Sequence, residues 1–112
     1  METSNVSQNR IRTEKSGVSL NKRYYVYILQ SKKDQGLYIG YTTNLKERLA
    51  SHLCGNVVST KGRLPLQLIH YEYFVHIRDA KAREVYLKSG HGRTQLKQFL
   101  KNTLLVHNEI ST

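Results

Sequence analysis

The segment Tyr24–Gln30 (YYVYILQ) constrains the fold more than any other part of the chain. It is β-branched or aromatic on both faces of an extended backbone, the pattern of a strand that other layers cover above and below. Such a strand has to be central, so the chain must supply neighbours at both edges and packing on both faces. Ser31–Gly36 (SKKDQG) reads as a turn and Leu37–Tyr41 (LYIGY) as a second strand, which makes the two a hairpin.

The covering layers follow in sequence. Asn44 opens a helix, with Glu47 three residues on as its capping-box partner. Leu45, Leu49 and Leu53 recur at helical spacing as the buried stripe, and Gly55 stands where a left-handed cap belongs. Residues 55–65 form a Gly-bearing loop, and Leu66–Phe74 (LQLIHYEYF) is a third strand. Asp79 caps a second helix that runs to Ser89 and is stopped by Gly90. Gly92–Thr94 leads into a third, with apolar positions at Leu96, Phe99, Leu100 and Leu104. The order β-β-α-β-α-α implies an α+β domain, a small three-stranded sheet flanked by helices, over residues 23–105. Residues 1–22 are polar and aperiodic and read as a basic mobile tail, and 106–112 as a short C-terminal tail.

Charge gives the first hint of function. Eighteen Lys and Arg against eight Asp and Glu leave +10, and residues 24–102 alone hold 13 basic and 5 acidic side chains. A domain this basic attracts polyanions, nucleic acid first among them. With eight tyrosines, two phenylalanines and no tryptophan, the core is built from Leu, Ile, Val and Tyr. A buried tyrosine needs a partner for its hydroxyl, so such a core can double as a site. The single cysteine, Cys54, excludes an internal disulfide and a cysteine metal cluster. It reads as a small buried residue at the helix end. No apolar run reaches the ~18 residues of a membrane span, and Met1–Leu20 lacks the apolar stretch of a secretory signal. A soluble, cytoplasmic protein is expected.

Three helix positions break the apolar pattern. Arg48 and His52 border or enter the stripe of the first helix, and Glu84 shares a face with Ala80 and Leu87 on the second. A half-buried Arg or Glu needs a partner of opposite charge. Arg48 can snorkel, pair with Glu47 or Glu84, or aim its planar fork at a phosphate. Glu84 can pair with Arg48 or hold a metal.

Val26-Tyr27-Ile28, eleven residues from Tyr27 to Tyr38, and then Tyr38-Ile39-Gly40 resemble the paired motif that names the GIY-YIG nuclease family. Arg48 falls ten residues after Tyr38, where that family has its helix arginine, and His52 follows one turn later. Glu84, within AKAREVYLKSG (80–90), looks like the family's metal-binding glutamate. The resemblance spans roughly residues 24–100 and is closest to short, stand-alone bacterial members. These are similar to the amino-terminal nuclease domain of the bacterial excision-repair nuclease.

The resemblance implies a metal-dependent DNA endonuclease, possessing structure-selective activity in repair or processing. Glu84 would hold Mg²⁺ or Mn²⁺, Arg48 would contact the scissile phosphate, and Tyr27, Tyr38 or His52 would be the general base. Lys32, Lys33, Lys61 and Arg63 are expected on the DNA backbone. The sequence departs from the family in two places. Tyr25 replaces the first motif's glycine, and Leu96–Phe99 stand where many members have an asparagine; Arg93 and Lys97 are candidates to replace it. A rival of another class is a non-catalytic module bound to RNA or the ribosome, with bases stacked on the tyrosine-rich sheet.

Overall fold

The computed structural model describes residues 22–104. Three antiparallel strands, β1 (Tyr24–Ser31), β2 (Leu37–Thr42) and β3 (Leu66–Phe74), form a sheet in the order β2-β1-β3. The central place of β1 is what its two-sided apolar pattern requires. Val26, Tyr27, Ile28 and Leu29 are all 0–1% exposed, and each fully buried aliphatic side chain contributes about 1.5–3 kcal/mol.

The two faces carry different cores. On one, Val26 and Ile28 of β1 join Leu37 and Ile39 of β2, and α2 (Ile77–Lys88) and α3 (Gly90–Phe99) cover them with Ala80, Leu87 and Leu96. On the other, Tyr27 and Leu29 join Leu66, and α1 (Leu45–Leu53) covers them with Leu45 and Leu49. The β1–β3 register slips once: Tyr27 faces Tyr71 and Ile28 faces His70, but Leu29 faces Leu68. The extra residue is Ile69, which packs with the Val26 and Ile28 core. A bulge of this kind lets Leu68 and Tyr71 share the Tyr27 face although they are three residues apart.

Helix ends differ from expectation in instructive ways. Asn44 caps α1, its side chain accepting from the Glu47 backbone N–H at 3.1 Å. The reciprocal half of the capping box is absent, because Thr42 Oγ1 already accepts the Asn44 N–H at 3.0 Å. Gly55 takes φ +80, the left-handed turn expected after α1. Leu53 leaves the stripe at 57% exposed, since His52 occupies the inward position of that turn, and Cys54 is exposed rather than buried. α2 begins at Ile77, two residues before Asp79, because His76 Nδ1 accepts the Arg78 N–H and supplies the cap. Gly90 does not merely stop α2: Ser89 caps α3 through the Gly92 N–H, so the two helices join without a loop. Phe99 is 65% exposed, its ring edge-on to His70 at 5.5 Å.

Polar contacts tie the layers together. Arg83 of α2 donates through Nε and Nη2 to the two carboxylate oxygens of Glu72 on β3, at 2.9 and 3.0 Å, and His70 Nε2 lies 3.0 Å from Glu72 Oε2. The hairpin turn is fastened to the loop before β3, where Ser31 Oγ donates to the Arg63 carbonyl at 2.6 Å. The expected tails, 1–22 and 106–112, lie outside the described residues except for Lys22.

Candidate active site

Tyr27 sits mid-strand on the central strand, so its ring stands at the middle of the sheet. Its cross-strand partner on β2 is Gly40. A Cβ at Gly40 would collide with the Tyr27 ring and hydroxyl, so the ring lies flat over β2 only because residue 40 has no side chain. α1 then crosses this face and delivers His52. The Tyr27 hydroxyl is 2.8 Å from His52 Nε2, and His52 Nδ1 is 2.9 Å from Thr60 Oγ1. Tyr27, His52 and Thr60 are all 0% exposed.

Arg48, one turn before His52, closes the group from outside. Its Nε donates to the Tyr27 hydroxyl at 3.4 Å, a long contact. Arg48 is exposed, not half-buried as its helix position suggested. Tyr38 is half-buried, its ring 5.1 Å from His52 and 6.2 Å from Tyr27, and its hydroxyl acts on both Tyr27 and Arg48.

The electrostatics assign the protons. Burial pushes the Tyr27 phenol above its ordinary value, and the Arg48 hydrogen bond offsets only part of that. Burial, then the Arg48 charge, hold His52 below the ordinary imidazole range, so the ring is neutral near pH 7. Because Arg48 donates to Tyr27, we assign the Tyr27 O–H as donor to His52 Nε2 and the imidazole proton to Nδ1, facing Thr60. A neutral imidazole lone pair thus receives a phenol beneath an exposed guanidinium.

The GIY-YIG catalytic domain family matches residues 23–98, which hold every one of these groups. The chain belongs to the GIY-YIG family. This is a nuclease family, and its substrate is nucleic acid. The chain is similar to a UPF0213 protein of Clostridium perfringens, 45% identical over 57% of this chain and 69% of that one. It is also similar to a UPF0213 protein of Pediococcus acidilactici, 37% identical over 74% of this chain and 87% of that one. The solution NMR structure of a UPF0213 protein from Bacillus halodurans is 34% identical, with TM-score 0.46, covering 69% of this chain and 84% of that one.

The GIY-YIG residues named from sequence do not all meet. Tyr27, Tyr38, Arg48 and His52 converge on one face. Glu84 stands on α2, whose Ala80 and Leu87 pack on the opposite face. Its side chain is 16% exposed and pairs with Lys88 at 3.0 Å, not with Arg48. Its charge reaches Tyr41, which together with burial and Tyr24 it helps to raise. Arg93 and Lys97 belong to α3 on that same opposite side. Of the loop cations, Arg63 pairs with Asp34 at 3.4 Å and Lys33 Nζ donates to the Gly62 carbonyl at 3.2 Å, so both fasten the turn. Lys32 and Lys61 are exposed. Sequence reading missed Thr60, which holds the His52 ring. No local pattern marks a threonine eight residues past its partner in a polar loop.

Proposed function

We propose that the protein is a metal-dependent endonuclease hydrolysing DNA phosphodiester bonds, acting structure-selectively in repair or processing. The observation that carries this reading is the chain from Arg48 through Tyr27 and His52 to Thr60. A phosphate docks on the exposed Arg48 guanidinium, whose planar fork suits it. In docking it draws Arg48 off Tyr27, and the 3.4 Å contact gives way readily. A water then attacks phosphorus as the P–O bond to the leaving sugar oxygen breaks. The water's proton passes to the Tyr27 oxygen, the Tyr27 proton passes to His52 Nε2, and the leaving oxygen takes its proton from solvent. Starting from a neutral phenol suits this concerted transfer, since burial keeps the phenolate scarce. Arg48 tightens on the phosphate as charge develops there, and Tyr38 orients the phosphate from the partly exposed side.

The donor chemistry of Glu84 fits a hydrated Mg²⁺ or Mn²⁺. Lys88 engages Oε2 of the carboxylate alone, and Mg²⁺ keeps several waters and needs few carboxylates. Among the described residues no group of three or more His, Cys, Asp or Glu gathers, so no ready-made cluster of such ligands surrounds Glu84. An ion held there would supply neutralising charge to phosphate, but from α2, which packs on the face away from Tyr27 and Arg48.

The packing of α2 on the opposite face favours a second reading, a non-catalytic nucleic-acid-binding module in which Glu84 only partners Lys88. Incubation with branched and linear DNAs, with and without Mg²⁺ or Mn²⁺, separates the two. The nuclease reading expects metal-dependent cleavage that Glu84→Gln abolishes while DNA binding persists. No cleavage by the wild type with either ion leaves the binding module. Undiminished cleavage by Glu84→Gln removes the metal-ligand role.

A further inference from the structure

The sheet face that holds Tyr27 does not end at the site. Tyr25 is two residues before Tyr27 on β1, and Tyr73 and Tyr71 are the β3 partners of Tyr25 and Tyr27. Residues paired across an antiparallel ladder, and those two apart on a strand, share a face. Tyr25, Tyr71 and Tyr73 therefore continue the Tyr27 face toward the β3 edge. α1 covers the other end, through Leu45 and Leu49 against Leu29 and Leu66, and leaves this end open.

The three rings form one cluster. Tyr25 lies 6.0 Å from Tyr71 and 6.1 Å from Tyr73, centroid to centroid. Tyr71 is 50% and Tyr73 49% exposed. The Arg23 guanidinium lies 4.6 Å over the Tyr73 ring, bringing a cation to the rim. Along β3 the two exposed tyrosines stand about 6.8 Å apart, two residues of strand rise. That leaves room for a base against each ring of a stretched single strand.

We propose that Tyr71 and Tyr73, backed by Tyr25 and rimmed by Arg23, are a stacking platform for unpaired bases beside the scissile phosphate. The platform makes the preferred substrate a strand that is single-stranded next to the cut. A paired duplex keeps its bases stacked inside and offers the platform only its backbone, whereas an unpaired strand offers π-faces that stack on any aromatic ring. The +10 charge of the chain supplies the matching attraction for the phosphates. This inference deepens the nuclease reading by naming its substrate class, and it rests on that reading only for the position of the cut.

The test is fluorescence anisotropy of the full chain in EDTA, so that binding is read without cleavage. The probes are labelled oligothymidylate, an abasic phosphodiester of the same length, and a duplex. The expected order is oligothymidylate tightest, with the abasic strand at least tenfold weaker. Tyr71→Ala and Tyr73→Ala should each weaken oligothymidylate binding about tenfold and leave duplex binding within twofold. Tyr71→Phe and Tyr73→Phe, which keep the ring, should bind as the wild type does and guard against loss of fold. Equal affinity for the abasic and base-bearing strands overturns the platform, as does equal loss on single strand and duplex in the alanine variants. Unchanged binding by those variants overturns it too, and leaves the rings free for a protein partner. A wild type that shows the expected binding pattern but never cleaves with Mg²⁺ or Mn²⁺ refutes the nuclease reading alone.

Discussion

The Tyr27 hydroxyl lies 2.8 Å from His52 Nε2, and neither residue has any surface in contact with solvent. A buried phenol and a buried imidazole satisfy each other there, and Thr60 satisfies the second ring nitrogen. The arrangement is structural and chemical at once: it seats α1 on the sheet, and it gives the Tyr27 proton somewhere to go.

Tyr27→Phe keeps the ring and deletes the hydroxyl, leaving His52 Nε2 buried without its partner. The expected cost is about 1–3 kcal/mol of stability, read as a lower urea midpoint with unchanged slope. Cleavage at saturating DNA should fall by about 10²–10⁴, the range of a general base. A variant that cleaves at the wild-type rate excludes the Tyr27 oxygen from the proton path.

The His52 environment sets a pH dependence of known sign. In the unfolded chain the imidazole titrates near about 6.5, and in the fold burial and Arg48 hold it lower. Between those values the unfolded chain binds more protons, so stability rises with pH. The contribution is complete above about pH 6.5 and is lost as pH falls through the lowered folded value. Urea unfolding of the wild type and His52→Gln between pH 8 and pH 5 checks it. The wild type should lose more stability on acidification than the variant. Parallel profiles mean that His52 carries a proton in the fold.

Gly40 is open to a direct steric test. Gly40→Ala drives a methyl group into the Tyr27 ring, and overpacking of this kind costs about 1–3 kcal/mol. The displaced ring should also lose its contact with His52, so cleavage falls with stability. Gly62→Ala is the control, since nothing lies within 4 Å of its added Cβ; it should stay within about 0.5 kcal/mol of the wild type. Equal stability in the two variants would contradict the close packing of Tyr27 on β2.

Local patterns carry much of this structure. The two-sided apolar run at Tyr24–Gln30 marks the central strand, Asn44 marks the start of α1, and Gly55 marks its left-handed exit. Glu84, set by helical spacing on the side of Ala80 and Leu87, is mostly covered, its side chain 16% exposed. What the pattern does not encode is which sheet face a helix covers. The connection from β3 into α2 is only Val75 and His76, and its path, not any periodicity, puts α2 on the face away from Tyr27. The bulge at Ile69 and the seat of His52 on Thr60 are illegible for the same reason: each depends on a contact made across elements. Leu53 and Cys54 depart from the apolar count because His52, a polar residue, takes the inward position that the count reserves for leucine.

The most direct measurement is single-turnover cleavage of DNA with Mg²⁺ at saturating protein, comparing the wild type with Arg48→Ala. Arg48 is exposed, and its bond to Tyr27 is long, so its removal spares the fold and the circular dichroism spectrum should not change. If the Tyr27 face is the hydrolytic centre, loss of this phosphate contact should slow the chemical step by about 10²–10³. Equal cleavage rates for Arg48→Ala and the wild type would show that the reaction takes place elsewhere on the molecule.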